Sequence, residues 1–394
     1  MTIVVAGSGP AGLTYALRLI EFRANADITL LEEHRQLGYP PHCTGLVSLS
    51  TLQREYPKLW KKVSQTLIEG ANIKTRHGVE LYIDIGKPIA AVLDRRLFEE
   101  LLGKAVENSG VKVKLDAQVK SVNPSRRKGM LRGGETFNYD ILVLATGATA
   151  PLNTSVGLDR PKGLLPAVNA EYQLEHAIDS RYVHVYFDSR VAPGFFAWIV
   201  PLNEYKVRVG LGATSKPIER LKFFEKLDPF NINLAQARRL QVYSGLILTG
   251  GPLRKYYSGR VVVIGDSAGH TKPTTGGGIA FTSIAARLLA QVSALADTWD
   301  NVGSFFQARY NKVIQREVKF MLLARRLANS MDDVQISNLL DTVQRSGIVD
   351  EVAKSHMDFH GGALIALAKK SLETKPIVTV TTLLQALLRV FLLS

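Results

Sequence analysis

The chain opens on Ile3-Val4-Val5-Ala6-Gly7-Ser8-Gly9-Pro10-Ala11-Gly12, a short apolar strand that runs directly into a G-x-G-x-x-G turn and then a helix. Few local patterns restrict a fold as much. Gly7 permits the tight turn, Gly9 lets the backbone approach a pyrophosphate, and Gly12 lets the helix pack closely on the sheet. Pro10 and Ala11 lie at the helix N-terminus, where free N–H groups and partial positive charge face the phosphates. A second strand, 27–31, ends at Glu32, twenty residues beyond Gly12, where an acidic side chain binds ribose hydroxyls. Strand, turn, helix and acid together predict a dinucleotide site.

The same sheet continues far along the chain. Residues 139–145 form a nearly continuous apolar run, as a buried parallel strand requires, and stop at Ala145-Thr146-Gly147. Residues 260–264 form another such run, which enters Gly265-Asp266 before Gly276-Gly277-Gly278-Ile279 and a long apolar helix. The nucleotide domain is therefore expected to be discontinuous: residues 1–163, including strands within 79–93, together with 250–300. Between these segments, residues 164–249 carry strand-like stretches at 183–187, 195–201 and 207–213 and predict an antiparallel-sheet substrate domain. Residues 301–394 read as helical. The expected fold class is thus α/β, a Rossmann-like domain with an antiparallel sheet domain and a helical C-terminal part.

Charge and cysteine usage narrow the partners. The chain of 394 residues has 49 Lys+Arg against 35 Asp+Glu, a formal net charge of +14. The basic residues are dispersed in ones and twos, which argues against nucleic acid and suits solvated surface, though an acidic membrane face or a lipid phosphate would suit the same positive charge. Cys43 is the only cysteine, so one chain supplies no intramolecular disulfide and no multi-cysteine metal site. A reducing, cytoplasmic setting is expected, without a signal peptide. Residues 377–393 are apolar apart from a stripe of Thr381, Gln385 and Arg389, which predicts an amphipathic helix packed on the body or lying at a membrane interface.

The second glycine-bearing signal carries the chemistry. Asp266 is placed to bind the hydroxyls of a ribityl chain, and the helix N-terminus at Gly276–Ile279 presents N–H groups to developing negative charge, which reduced flavin carries and nicotinamide does not. Taken in order, Gly7–Gly12, Glu32, Asp94-Arg95-x-x-Phe98, Ala145-Thr146-Gly147 and Gly265-Asp266 resemble the FAD signature of the para-hydroxybenzoate hydroxylase-type flavoproteins, over nearly the whole chain. Within that superfamily, Cys43-Thr44-Gly45-Leu46-Val47-Ser48 and Pro193-x-x-Phe196-x-Trp198-x-Val200-Pro201 resemble the geranylgeranyl reductases. The second motif departs from the family's pattern at Phe196, usually Tyr, and at Val200, usually Phe.

The resemblance implies an FAD-dependent reductase that saturates isolated double bonds of prenyl chains, with an external electron donor, either a nicotinamide or an iron–sulfur protein. It implies that Thr44 and Gly45 lie in a loop beside the flavin and that Cys43 lines or gates the site. Arg95 is expected to help hold the cofactor, with Arg96 the alternative if the register shifts by one. Strand alternation sends Phe196, Trp198 and Val200 to one face, as a pocket wall or as ordinary sheet core. His270, Lys272 and His360 belong to no constellation and are expected to be surface or satisfied polar groups. Two other readings share these features: an aromatic or quinone hydroxylase using NAD(P)H and oxygen, and a non-catalytic flavin or lipid carrier.

Overall fold

The computed structural model describes residues 2–23, 25–296, 298–345, 347 and 356–361, and they fall into two compact units. The helix expected over 377–393 lies outside the described residues. Unit 1 comprises Met1–Pro41, Arg95–Leu164 and Leu248–Val318; unit 2 comprises His42–Asp94, Leu165–Ile247 and Lys319–Ser394.

In unit 1, strands β1 (Thr2–Ala6), β2 (Asp27–Leu31), β8 (Lys112–Lys114), β12 (Ile141–Leu144), β18 (Tyr257–Ser258) and β19 (Val261–Val263) form one sheet in the order β18-β19-β12-β1-β2-β8. Every neighbouring pair is parallel except the edge pair β18 and β19. All four residues of β12 are fully buried, which is why its sequence shows no alternation. Helix α1 (Pro10–Phe22) packs against α4 (Arg95–Asn108) and α6 (Ile279–Leu295), with the Tyr15 hydroxyl 3.1 Å from Ser293 Oγ. A small antiparallel meander, β9 (Val119–Asn123), β10 (Lys128–Leu131) and β11 (Thr136–Asn138), completes the middle segment.

Unit 2 is built on a seven-stranded sheet: β5 (Gly70–Thr75), β6 (Glu80–Asp84), β13 (Leu164–Gln173), β14 (Tyr182–Phe187), β15 (Ala197–Asn203), β16 (Lys206–Gly212) and β17 (Arg238–Leu248), in the order β17-β13-β16-β15-β14-β5-β6. A three-stranded sheet joins β3 (Leu46–Ser48), β7 (Ala90–Leu93) and β4 (Ser64–Ile68). Helix α2 (Leu49–Glu55) follows β3, α3 (Trp60–Val63) precedes β4, and α5 (Pro217–Leu227) covers one face of the large sheet through Leu221 and Phe224. Helix α7 (Val302–Ser330) passes from unit 1 into unit 2 after Val318, and α8 (Asp333–Arg345) follows. Among the described residues no helix is long and apolar enough to cross a membrane.

Three features differ from the sequence expectations. The strands within 79–93 group with unit 2, because β6 pairs with β5 and β7 pairs with β3 and β4. The large sheet is mixed, since β5 pairs with β14 in parallel. The boundary expected at 301 lies just before α7, whereas the two units divide within that helix, after Val318. The first two differences rest in part on pairing between segments apart in sequence, β7 with β3 and β5 with β14, which local periodicity does not report.

Candidate functional site

Unit 1 gathers the scattered glycine signals at one place. Gly7 takes φ +103°, and a Cβ there would lie 2.3 Å from the Ala145 carbonyl oxygen, so the first turn sits directly against Ala145-Thr146. A Cβ on Gly12 would lie 2.1 Å from the Gly7 carbonyl. Gly265, at φ +70°, is pressed against α1, its Cβ position 2.7 Å from Ala11 Cβ. A Cβ on Gly278 would lie 3.1 Å from Asp266 Oδ1. Contacts therefore link Gly7–Gly12, Ala145–Gly147, Gly265–Asp266 and Gly276–Ile279 into one cradle.

Gly9 behaves differently. A Cβ there would meet no protein atom within 4 Å, so packing of the chain does not explain the glycine. Gly9 is also the N-cap of α1, with no side chain capping the helix and Pro10 in the first turn. The first N–H groups of α1 thus face open space, the arrangement that binds a phosphate anion. Ser8 Oγ and Thr146 Oγ1 are buried beside this turn without a hydrogen-bond partner. These orphaned hydroxyls and the vacant room over Gly9 fit the diphosphate of a dinucleotide.

Glu32 is buried at the end of β2, where Oε2 accepts the Ser8 N–H at 2.8 Å and Oε1 accepts the His34 N–H at 3.0 Å. It thereby braces the glycine turn, and its oxygens keep further lone pairs for ribose hydroxyls. Arg95 opens α4 and pairs with Glu99, and its charge acts on Asp266. Arg96, 56% exposed, donates to Glu100 at 2.9 Å.

Burial pushes the Asp266 carboxyl above the usual range, with Arg95 opposing that shift. Behind Asp266, His270 is fully buried among Tyr256, Phe306 and Tyr310, its ring 4.2 Å from that of Tyr310. Burial pushes its pKa down to about 3, and Nδ1 accepts the Gly265 N–H at 3.2 Å. The ring is therefore neutral with its proton on Nε2, an atom that has no acceptor. His270 braces the Gly265 turn from inside, and Lys272 is also buried, lying along Gly277. Neither is a surface residue. Their significance was hidden because a buried histidine and an exposed one look alike in sequence.

In unit 2, Trp198, Val200 and Leu202 point to one face of β15 with half-buried Phe196 packed against them, while Ala197 and Ile199 point to the other. The alternation is as expected, but Phe195 and Phe196 precede the strand, which starts at Ala197. Val200 and Trp198 are 2% and 8% exposed, so they are sheet core with Phe196 at its margin. Cross-strand pairing lays residues out in rows on this face: Glu171, Arg208 and Val200 in one, Asn169, Gly210 and Trp198 in the next. Gly210 is required there, because its Cβ would fall 2.4 Å from Asn169 Oδ1 and 2.6 Å from the Trp198 ring. The Trp198 indole N–H donates to Asn169 Oδ1 at 2.9 Å.

These rows hold the loop carrying Cys43, Thr44 and Gly45. Arg208 Nη1 donates to the Thr44 carbonyl at 2.6 Å and to that of Cys43 at 3.3 Å, while Nε and Nη2 donate to Glu171 Oε1 at 3.1 and 2.6 Å. Asn169 Nδ2 reaches the His42 carbonyl at 3.4 Å. Gly45 adopts φ +81° with its Cβ position 2.5 Å from the Leu93 carbonyl, and its N–H points to the free Cys43 thiol at 3.4 Å. Arg208, Glu171, Asn169 and Gly210 escaped the sequence reading, since alternation along β13 or β16 does not tell a buried polar row from a solvated one.

Comparison with known proteins agrees with this architecture. The profile of the tryptophan halogenase family matches residues 64–327. A digeranylgeranylglycerophospholipid reductase of Methanopyrus kandleri is 25% identical over 356 residues, covering 85% of this chain and 88% of the relative. Among solved structures, a geranylgeranyl bacteriochlorophyll reductase-like protein from Thermoplasma acidophilum superposes with a TM-score of 0.82 at 20% identity, covering 98% of this chain and 99% of that one. A flavin-dependent brominase superposes with a TM-score of 0.70 at 15% identity, covering 95% and 100%.

Proposed function

The chain is an FAD-dependent member of the tryptophan halogenase family, and on that premise we propose that it saturates isolated carbon–carbon double bonds in the prenyl chains of lipids, as a geranylgeranyl reductase does. The observation that carries the reading is that the chain holds both an FAD cradle with open room at Gly9 and an aromatic sheet face at Phe196 and Trp198. Bound and reduced, FAD would supply the hydride for one alkene carbon, while the other would take a proton from water or a site acid. The α1 N-terminus, Ser8 and Thr146 bind the diphosphate, and Glu32 binds the adenosine ribose. Asp266, with Arg95 beside it, takes ribityl hydroxyls, and the α6 N-terminus at Gly276–Ile279 opposes negative charge on the ring system.

An isolated alkene offers no carbonyl to polarise, so the chain's task is to exclude water and align the substrate. Phe196, at the margin of the core around Trp198, supplies apolar contact surface, and the Arg208 clamp fixes the Cys43–Gly45 loop. The two electrons come from an external nicotinamide or iron–sulfur donor. The net charge of +14 suits work at an acidic membrane face from the cytoplasmic side.

Anaerobic incubation of the FAD-loaded protein with dithionite and geranylgeranyl phospholipid, read by mass spectrometry, tests this. The expected result is one added hydrogen pair per double bond. An unchanged lipid mass with flavin bound and reduced would overturn the reading, and substrate-stimulated oxygen consumption would establish the hydroxylase chemistry in its place.

A further inference from the structure

Unit 2 contains two buried arginines that are used in different ways. Arg208 is saturated: a carboxylate and two carbonyls receive its donors. Arg325, on α7, is 8% exposed, and among the described residues it makes one hydrogen bond, from Nη2 to the Gly194 carbonyl. Its Nε is buried with no acceptor, and among the described residues no carboxylate pairs with it. Loss of water pushes its pKa down to about 10, which still leaves it charged at neutral pH. A buried guanidinium without a counter-charge is costly, and protein interiors rarely keep one idle.

Its surroundings indicate what would satisfy it. The guanidinium carbon lies 4.6 Å from the centroid of the Phe195 ring. Phe195 stacks on Phe196 at 4.2 Å and meets the Trp198 ring edge-on at 6.5 Å. Phe196 and Trp198 also meet, at 6.1 Å, so the cation stands over one ring of a compact cluster of three whose half-buried member is Phe196. An anion carried on an apolar chain matches both parts, and the planar fork of Nε and the terminal nitrogens matches two oxygens of a phosphate.

We propose that Arg325 is an anion-recognising residue of unit 2, taking the phosphate group of a ligand whose apolar chain lies against Phe196, the half-buried ring of the cluster. The anion site stands on Arg325 itself; only the prenyl nature of the chain rests on the proposed function. The same chemistry is offered by a prenyl phosphate and by free phosphate, so both are titrated.

The test is calorimetric titration of the FAD-loaded protein with farnesyl phosphate, farnesol and inorganic phosphate. The wild-type protein is expected to bind the phosphate ester at least about tenfold more tightly than the alcohol, with each hydrogen-bonded charge worth that much. Arg325→Gln is expected to abolish the preference while leaving the farnesol Kd unchanged. An undiminished preference in Arg325→Gln, or equal weakening of both prenyl ligands, would overturn the proposal. Should Arg325→Gln not fold, Arg325→Lys carries the test, because it keeps the charge and loses the fork: a reduced preference supports the site and an unchanged one overturns it. Inorganic phosphate binding that depends on Arg325, without binding of either prenyl ligand, would uphold the anion site and sink the prenyl reading. Equal wild-type affinity for ester and alcohol would do the reverse.

Discussion

Of the three glycines in the opening turn, only two are explained by the protein's own atoms. A Cβ on Gly7 collides with the Ala145 carbonyl at 2.3 Å and φ is +103°, so Gly7→Ala is expected to cost about 3 kcal/mol or more and to lower the melting temperature sharply. At Gly9 the space is empty and φ is −74°, so Gly9→Ala is expected to stay within about 0.5 kcal/mol of wild type. It should nonetheless lose FAD, which the 450 nm flavin absorbance of the purified protein reads. A stable Gly9→Ala protein that retains flavin would remove the case for phosphate approach there. A second residue sets acid sensitivity. His184 on β14 is half-buried beside Phe230, its Nδ1 has no partner among the described residues, and loss of water around the ring lowers its pKa from 6.5 to about 4. The unfolded chain takes up its proton below pH 6.5 while the folded one resists until about 4, so this contribution is whole above pH 6.5 and is lost as pH falls through that window. The loss amounts to about 3 kcal/mol at 1.36 kcal/mol per pH unit. Denaturant unfolding of His184→Phe across that range should show a flatter acid limb than wild type.

Among elements, the pairing of β13, β16 and β15 does most to build the candidate site in unit 2. Glu171 and Arg208 face each other directly across β13 and β16, with side chains 20% and 8% exposed. Removing one partner leaves a buried charge, so Arg208→Met is expected to cost about 3 kcal/mol, and Glu171→Met/Arg208→Met less than the sum of the single changes. Arg208→Met also frees the carbonyls of Cys43 and Thr44, so the Cys43 thiol should react faster with a maleimide. Unchanged labelling would mean that other contacts hold the loop. The faces of β15 were legible from the period of two in Phe196, Trp198 and Val200. The role of Arg208 was not, because this sheet is packed on both faces, and alternation alone cannot distinguish a buried polar row from a solvated one.

At the scale of the whole molecule, the nucleotide unit is assembled from three separate stretches of chain. Residues 1–164 alone would lack β19, leaving the fully buried β12 as an exposed edge, and would lack α6, the partner of α1. Expressed as a fragment, this stretch is expected to aggregate or remain unfolded and to bind no flavin, as circular dichroism and absorbance would show. A folded, yellow fragment would refute the view that the cradle needs the distant Gly265–Ile279 segment. By itself the sequence determined the β-α-β opening, an acid at the end of the second strand, the parallel strands at 141–144 and 261–263, and the discontinuity of the domain. These depend on local propensity, glycine geometry and hydrophobic period, which neighbouring residues carry among themselves. Only the tertiary structure decided that 42–94 groups with the sheet of unit 2, that Gly265 rests on Ala11, that His270 lies inside, and that Arg208 is saturated while Arg325 is not. The physical reason is common to all four: burial and hydrogen-bond satisfaction depend on partners far away in the chain, so a polar residue shows its environment only once those partners have been brought to it.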